Sequence, residues 1–299
     1  MIKKFKKLIC AVLALCVAAG ATGCTIPQQQ TGGEITGGET SIAATSVAIC
    51  EILDALEYDN VIGVPETEHE LPERYANATT IGAPMTPDYE IIKSLAPDLV
   101  LSPKTLEDSL SSQYSAAGIN SAFLDLSSVE GMYSAITSLG ELLDRQEQAQ
   151  ALVDDYNNYI EQYTANVDEG EKIMILMAFP DGFYLIATEN SYVGNLVKLA
   201  GGKNVYDSST SGDENGFVNI NPEDMVQRAP DKILVFAHYS EESAFEYMKQ
   251  EFAENDAWQY YDAVKNGEIY YLPSEYFGMS ASLDWTDALD YLKPILYGE

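Results

Sequence analysis

Two side chains that can ligate a transition metal stand out in this chain of 299 residues. Met85 lies between Pro84 and Pro87, in a short segment that the two prolines should stiffen. His238 ends an apolar run typical of a strand, and ligands of open α/β sheets bind beyond the carboxyl ends of strands. A thioether is a soft metal ligand, and a neutral imidazole also binds transition metals. Either residue could equally be structural, since methionine fills gaps in cores and an isolated histidine can simply pack.

The sequence argues against other common kinds of site chemistry. His69 and His238 are the two histidines of the chain, whereas an extracellular zinc or manganese receptor needs several histidine and carboxylate ligands. Cys50 lies in an apolar run, which favours a buried and inert thiol. The segment 278–282 superficially resembles a nucleophile elbow, but it lacks the second glycine, and no histidine follows it to activate a serine. A zinc receptor is therefore excluded and a hydrolase is disfavoured.

The amino-terminal residues carry the features of an exported lipoprotein. Four lysines precede an apolar run, residues 8–21, that is too short to span a bilayer comfortably. Residues 21–24, Ala-Thr-Gly-Cys, resemble a lipobox, at which Cys24 would receive diacylglycerol; a signal cut elsewhere is the alternative. Residues 25–40 have almost no apolar content, as expected of a flexible tether. We expect a signal peptide over residues 1–23, a lipidated Cys24 with its tether over 24–40, and anchoring at the extracellular face of the cell membrane.

The charge of the chain limits its partners. The formal net charge is −31, and loss of the four lysines of the signal leaves 12 basic residues against 47 acidic ones, a net charge near −35. Such a field repels polyanions, so nucleic acid is excluded as a partner. Three arginines, Arg74, Arg145 and Arg228, are too few for a site built around an anionic ligand.

Two series of alternating strand and helix patterns predict two α/β lobes, over residues 41–128 and 168–299. In the first lobe the pattern predicts strands at 61–64, 98–102 and 121–126, with helices at 47–56, 88–95 and 106–117. In the second it predicts strands at 173–178, 183–187, 233–238 and 269–272, with helices near 191–200, 221–228, 241–252 and 283–296.

Residues 129–167 carry no strand signal and predict a helical connector between the lobes. Gly140 marks a break, and a turn is expected near Asp144 and Arg145. Beyond the turn, apolar residues recur every three to four positions, which predicts one helix over 146–166. A helix of that length extends roughly 30 Å, about the diameter of a domain. We therefore expect a stiff connector and little motion between the lobes.

The two lobes share an internal repeat. Residues 90–101 and 223–234 both begin with a glutamate, continue for six residues to a Pro-Asp pair, and then enter a strand. The need to end a helix before the next strand is enough to explain the Pro-Asp pairs. It does not explain the matched glutamates, Glu90 and Glu223.

From Ser41 onward the chain resembles a known class of receptor. The matching segments are residues 44–50, 82–88, 188–194, 236–238 and 278–283. They are similar to heme receptor lipoproteins of the iron-regulated surface determinant type, within the helical-backbone class of periplasmic-type binding proteins. The resemblance implies two Rossmann-like α/β lobes joined by a single long α-helix, with heme bound between the lobes. A corrinoid or ferric siderophore is the alternative ligand, and a tethered adhesin is the alternative class.

The resemblance also implies roles for individual residues. Met85 and His238 would be the axial ligands of the heme iron. Glu90 and Glu223 would dock onto the permease of an ABC importer, which acts with its ATPase. The receptor would act as a monomer.

The remaining predicted pocket residues follow from their local sequence. The segment Thr45-Ser46-Val47 opens a helix, so its backbone N–H groups could hold the propionates without arginine. His69 could face a propionate or be a plain exposed loop residue. Three residues could close over the porphyrin or pack on the core: Tyr276, Phe277 and Met279. Next to Met85, Thr86 is a plausible helix N-cap and Pro87 a plausible first helical residue.

Overall fold

The computed structural model describes residues 39–164, 171–210, 212, 216–219 and 222–298. The predicted signal peptide, the lipidated Cys24 and nearly all of the predicted tether lie outside the described residues. Within the described ranges, no helix is both long enough and apolar enough to cross a membrane.

Strands and helices alternate along the chain, as the sequence pattern predicts. The strands are β1 (Ile42–Ala44), β2 (Val61–Val64), β3 (Thr79–Thr80), β4 (Gly82–Ala83), β5 (Thr86–Pro87), β6 (Leu99–Pro103), β7 (Ser121–Leu124), β8 (Lys172–Phe179), β9 (Phe183–Ala187), β10 (Lys203–Asn204), β11 (Phe217–Val218), β12 (Lys232–Ala237) and β13 (Ile269–Leu272). The helices are α1 (Val47–Ala55), α2 (Tyr89–Leu95), α3 (Glu107–Ala117), α4 (Val129–Leu142), α5 (Gln146–Thr164), α6 (Tyr192–Leu199), α7 (Pro222–Arg228), α8 (Glu241–Glu254), α9 (Asp262–Asn266) and α10 (Trp285–Tyr297).

The first lobe is built on a five-stranded sheet with the order β3-β2-β1-β6-β7. All of its strand pairs are parallel. The carboxyl ends of all five strands therefore meet at one edge of the sheet. The residues that follow β1, β2 and β3 are brought together along this edge.

The second lobe has a mixed sheet with the order β11-β9-β8-β12-β13. Strands β8, β12 and β13 are parallel, whereas β9 runs antiparallel to both β8 and β11. Alternate residues of β12 belong to different apolar clusters, Leu234 and Phe236 to one and Ile233 and Val235 to another. Both faces of the strand are thus covered, which explains its uninterrupted apolar sequence.

Two helices, α4 and α5, form the connector between the lobes. The predicted break at Gly140 is wrong, because α4 runs through this residue and ends at Leu142. A Cβ atom at Gly140 would lie 2.5 Å from the Cβ of Ala149 on α5. The glycine therefore serves close packing of the two helices. The predicted turn near Arg145 is confirmed, since α5 begins at Gln146.

An aromatic cluster fastens the connector to the last helix of the second lobe. The buried ring of Trp285 on α10 contacts Tyr133 on α4 and Tyr156 and Tyr159 on α5. The indole Nε1 of Trp285 also donates a hydrogen bond of 3.1 Å to the hydroxyl of Tyr133. The two helices of the connector and the second lobe therefore share one packed junction.

The internal repeat of the sequence has the same structure in both lobes. Ala96 and Ala229 each follow a seven-residue helix, and both adopt positive φ angles, +48° for Ala96 and +42° for Ala229. The aspartate that follows each proline then accepts hydrogen bonds from the start of the central strand. Asp98 accepts from the backbone N–H of Ser41, at 2.8 Å, and Asp231 from that of Lys172, at 2.9 Å. The Pro-Asp pairs thus lock equivalent strands of two equivalent lobes.

Candidate functional site

The candidate ligand of the second lobe lies at the carboxyl edge of its sheet. Strand β12 ends at Ala237, so His238 follows the strand directly. Ala237 pairs with Ala178 of β8, and the backbone N–H of His238 donates to the carbonyl oxygen of Ala178 at 3.0 Å. This register places His238 beside Phe179, the last residue of β8.

Aromatic rings surround the imidazole of His238. The ring centroid of Phe179 lies 5.0 Å from that of His238, and the ring of Tyr239 lies 5.4 Å away. Phe183 packs against Phe179 from the neighbouring strand β9. Phe183 and Tyr239 expose much of their side chains. The edge of the second lobe is therefore an open apolar surface around one imidazole, which suits a flat apolar ligand.

Burial lowers the pKa of His238 from its usual value of 6.5. Desolvation penalises the charged imidazolium, so the neutral ring is favoured near neutral pH. A neutral imidazole is the form that binds a metal ion. The local environment of His238 is therefore suited to a metal ligand.

The candidate ligand of the first lobe lies at the tip of a small hairpin. Strands β4 and β5 are antiparallel, with Ala83 paired to Thr86, so Pro84 and Met85 form a two-residue turn. The side chain of Met85 is 60% exposed, an unusual state for methionine. Because the hairpin directly follows β3, it lies at the carboxyl edge of the first sheet. The thioether of Met85 is thus exposed at this edge of the first sheet.

The prediction that Thr86 caps the helix after Met85, with Pro87 as its first residue, is wrong. Thr86 and Pro87 form strand β5 instead of capping and opening a helix. Helix α2 begins at Tyr89, and the side chain of Asp88 caps it by accepting from the backbone N–H groups of Glu90 and Ile91. The hairpin pairing uses the residues that the local pattern assigned to the helix start.

The predicted propionate cradle lies at the carboxyl end of β1. Thr45 is buried, and its hydroxyl donates a hydrogen bond of 2.9 Å to the hydroxyl of Ser102. Ser46 caps α1 by accepting from the backbone N–H of Ile49, and Val47 is the first helical residue. The side chains of Thr45 and Ser46 thus have structural partners. The backbone N–H groups at the start of α1 remain the predicted donors.

His69 lies in the exposed loop after β2, where its backbone N–H bonds to Thr67. Close by, a cavity of about 360 Å³ separates α1 from the start of α10 and is lined by Glu51, Asp54, Ala55, Glu70, Leu71, Pro72, Leu283 and Asp284. Burial, reinforced by the charge of Asp284, raises the pKa of Glu51, while His69 acts in the opposite direction. The cavity between α1 and the start of α10 is therefore lined by several acidic side chains.

The predicted residues of the loop after β13 differ in exposure. Phe277 is fully buried against Tyr276 and Tyr291, so core packing accounts for its presence. Tyr276 and Met279 are partly buried and pack on the same core. Contact of these three residues with a ligand stays a prediction.

Glu90 is the second residue of α2, and its side chain is 86% exposed, with Lys93 Nζ at 3.2 Å. Glu223 is the second residue of α7, so the two glutamates occupy equivalent backbone positions. Their role in docking stays a prediction.

A second concave region lies away from both candidate ligands. A groove of about 640 Å³ lies at the opposite edge of the second sheet, near Lys172, Asp231 and Lys232. The amino ends of strands lie there, and Lys232 is paired with Glu171 and Glu268. Across the described ranges, no group of three or more histidine, cysteine or acidic side chains could hold a metal ion.

The two α/β lobes, with the helices α4 and α5 between them in the chain, define a class of binding protein. A model of the family described as periplasmic binding protein matches residues 42–276. The chain therefore belongs to the periplasmic binding protein family.

Individual relatives are similar to this chain in sequence and structure over most of its length. The high-affinity heme uptake system protein IsdE of Staphylococcus aureus (strain MRSA252) is 36% identical over 263 residues, which cover 87% of this chain and 88% of that protein. The solved structure of S. aureus IsdE complexed with heme has a TM-score of 0.80 at 36% identity and covers 87% of this chain and 100% of that one. An ABC transporter substrate-binding protein from Listeria monocytogenes EGD-e has a TM-score of 0.81 at 40% identity over 88% of this chain and 100% of that one.

Proposed function

We propose that this chain binds heme between its two lobes and delivers it to an ABC importer for iron acquisition. The observation that carries the proposal is the imidazole of His238, held neutral by burial within an open aromatic surface at the edge of the second sheet. Relatives that share about a third of the sequence over most of the chain include a heme uptake protein. The receptor has no catalytic role in this proposal.

The two candidate ligands suit the two sides of a heme iron. His238 comes from the second lobe, and Met85 comes from an exposed turn of the first. The thioether is a soft ligand that favours ferrous iron, whereas imidazole binds both oxidation states. We therefore expect a six-coordinate, low-spin heme. The flat ring would lie against the aromatic edge, where burial of apolar surface supplies most of the affinity.

The same proposal places the receptor outside the cell. Lipidation of Cys24 would hold it at the extracellular face of the cell membrane, where a monomer would dock onto the permease. Mass spectrometry of the mature protein would test this part, because an unmodified amino terminus at another residue would contradict it.

A hemin titration followed by absorbance tests the ligand and the iron ligands together. The parent should give a low-spin spectrum. Met85→Ala should retain heme with a five-coordinate or water-bound spectrum, and His238→Ala should be the more damaging change. His69→Ala is the matched control, because it removes the other histidine and should leave the spectrum unchanged. The proposed ligands are wrong if Met85→Ala and His238→Ala both keep the spectrum of the parent.

Cobalamin provides the second arm of the same experiment. A receptor for heme should show no binding of cobalamin at concentrations that saturate it with hemin. Saturation by cobalamin and not by hemin would overturn the proposed function while leaving the fold class intact.

A further inference from the structure

Among the described residues, the imidazole of His238 has no hydrogen-bonding partner of the kind that usually orients a metal-binding histidine. Such residues almost always donate their second ring N–H to a carboxylate, a carbonyl or water, which fixes the ring and makes it a stronger donor. Nδ1 of His238 is buried, and none of the described residues forms a hydrogen bond with it. Iron would therefore bind through Nε2, and some other contact must fix the ring.

Of the two rings described against the imidazole, Phe179 is the nearer, at 5.0 Å against 5.4 Å for Tyr239, and it is placed to make that contact. The register between β8 and β12 sets Phe179 beside His238 on neighbouring parallel strands. The two ring planes are inclined by 52°, with centroids 5.0 Å apart. Phe179 is itself partly buried on the core and contacts Phe183, its cross-strand partner in the β8–β9 hairpin. The phenyl ring is thus fixed to the sheet on one side and rests on the imidazole on the other.

We propose that Phe179 is a positioning residue, which sets the orientation of the His238 imidazole by ring packing in place of a hydrogen bond. This inference rests on the proposed function, in which His238 binds the heme iron. It has a chemical consequence. An imidazole whose Nδ1–H has no acceptor gives less charge to iron, so the iron–nitrogen bond is weaker than in a site with a hydrogen-bonded histidine. A weaker bond suits a receptor that must release its cargo.

Two measurements separate a positioning role from a merely structural one. The first is the rate of heme transfer to excess apomyoglobin, which reports release. The second is the iron–imidazole stretching band of reduced heme, measured by resonance Raman in the Met85→Ala background, where the imidazole is the single protein ligand. The band reports both the hydrogen bonding of Nδ1 and the spread of ring orientations.

Phe179→Ala should speed heme release about tenfold, the size of effect typical for loss of a group that orients a metal ligand. Its stretching band should shift and broaden. Phe183→Ala, the comparison variant, removes a ring of the same exposed edge, so it can change the rate of release, but it leaves the Phe179 ring beside the imidazole and should shift the stretching band much less. Phe179→Leu keeps apolar volume without a flat face, so it should broaden the band even if Phe179→Ala folds poorly.

The outcomes are distinguishable. Faster release by Phe179→Ala with an unchanged band would overturn the positioning role and leave only packing against the ligand. A band of the Met85→Ala protein at the high frequency typical of imidazole hydrogen-bonded to a carboxylate would overturn the weak-donor consequence. A parent spectrum that His238→Ala does not alter would instead be a failure of the proposed function.

Discussion

The two lobes are built on the same repeat, yet they present their candidate ligands very differently. In both, a seven-residue helix, a left-handed alanine and a Pro-Asp pair lead into a strand beside the central one. Met85 then stands on an exposed two-residue turn, whereas His238 is packed among aromatic rings at a sheet edge. The repeated helix, Pro-Asp pair and strand are thus common to both lobes, whereas the candidate ligands lie on segments that differ between them. In the proposed site, the second lobe would supply a packed ligand to the iron and the first lobe an exposed one.

The largest effect should come from the part that the lobes share. Replacing Glu90 and Glu223 together by lysine should abolish heme uptake by cells while leaving hemin binding intact, because docking needs both equivalent positions. Exposed ion pairs contribute only about 0–1 kcal/mol each, so the parent should dock weakly and lose affinity with salt. Uptake of radiolabelled heme measures the outcome.

A matched double variant, Glu161→Lys with Glu242→Lys, changes the net charge equally at exposed positions of the connector and of α8. It should import normally. Normal uptake by the Glu90 and Glu223 double variant would show that the shared repeat is architectural alone.

The next prediction compares Trp285, which packs between α10 and the connector helices, with Trp258, which packs inside the second lobe. Trp285→Ala and Trp258→Ala each remove a buried indole and should each cost about 3–5 kcal/mol of unfolding free energy. Trp258 contacts Tyr184, Phe252 and Tyr261 within its own lobe. Trp285 contacts both connector helices. Trp285→Ala alone should therefore lower the slope of the urea transition, since the lobes then unfold less cooperatively. Equal slopes for the two variants would mean that the junction does not couple them.

A smaller effect is expected at the contact between α4 and α5. Gly140→Ala gains helix propensity, but the new methyl group would lie 2.5 Å from the Cβ of Ala149. Overpacking of this kind costs about 1–3 kcal/mol, so the variant should be destabilised in urea unfolding. Adding Ala149→Gly should restore part of the loss. A more stable Gly140→Ala would show that the helices can separate freely.

The pH dependence of stability should differ in sign between the lobes. Burial lowers the pKa of His238 below 6.5, so the unfolded chain binds more protons and the contribution of His238 is lost as pH falls below 6.5. His238→Gln should flatten this slope in urea unfolding of the heme-free protein. Burial and Asp284 raise the pKa of Glu51 above 4.5, so its contribution is lost as pH rises. Glu51→Gln should therefore stabilise the protein at neutral pH. The same sign for both residues would contradict their opposite environments.

The smallest expected change is in overall shape. The connector consists of helices, which resist bending more than the paired strands that link hinge-type receptors. Small-angle scattering should give nearly the same radius of gyration for the heme-free and loaded protein. A large contraction would show that the first lobe closes over the ligand as a hinged lid.

Much of the fold follows from local pattern. The predicted strands at 61–64, 183–187 and 269–272 coincide with β2, β9 and β13, because each is an apolar run ended by turn residues. The short strands β1, β3, β4 and β5 were not predicted, since two or three residues carry no measurable period. The antiparallel direction of β9 depends on the turn at Gly182 and on pairing with β8, which local hydropathy does not encode.

The site was predictable in part. The family resemblance predicts Met85 and His238 as iron ligands, a role that stays a prediction, and their positions at carboxyl edges follow from the order of strands. Phe179 was missed because its contact with His238 arises from the register between two strands that are distant in sequence. A signal existed in the aromatic residues on both sides of the turn in Phe179-Pro-Asp-Gly-Phe183, which predicts a hairpin with two rings side by side.

If the connector is as stiff as predicted, it would affect how empty and loaded receptors compete for the permease. If the lobes keep nearly one spacing, an empty receptor offers the permease nearly the same pair of docking glutamates as a loaded one. Empty and loaded receptors then compete for the same permease, and the ratio of the two forms sets the rate of import. Excess empty receptor would then inhibit import, and a cell would gain most by matching the amount of receptor to its supply of heme.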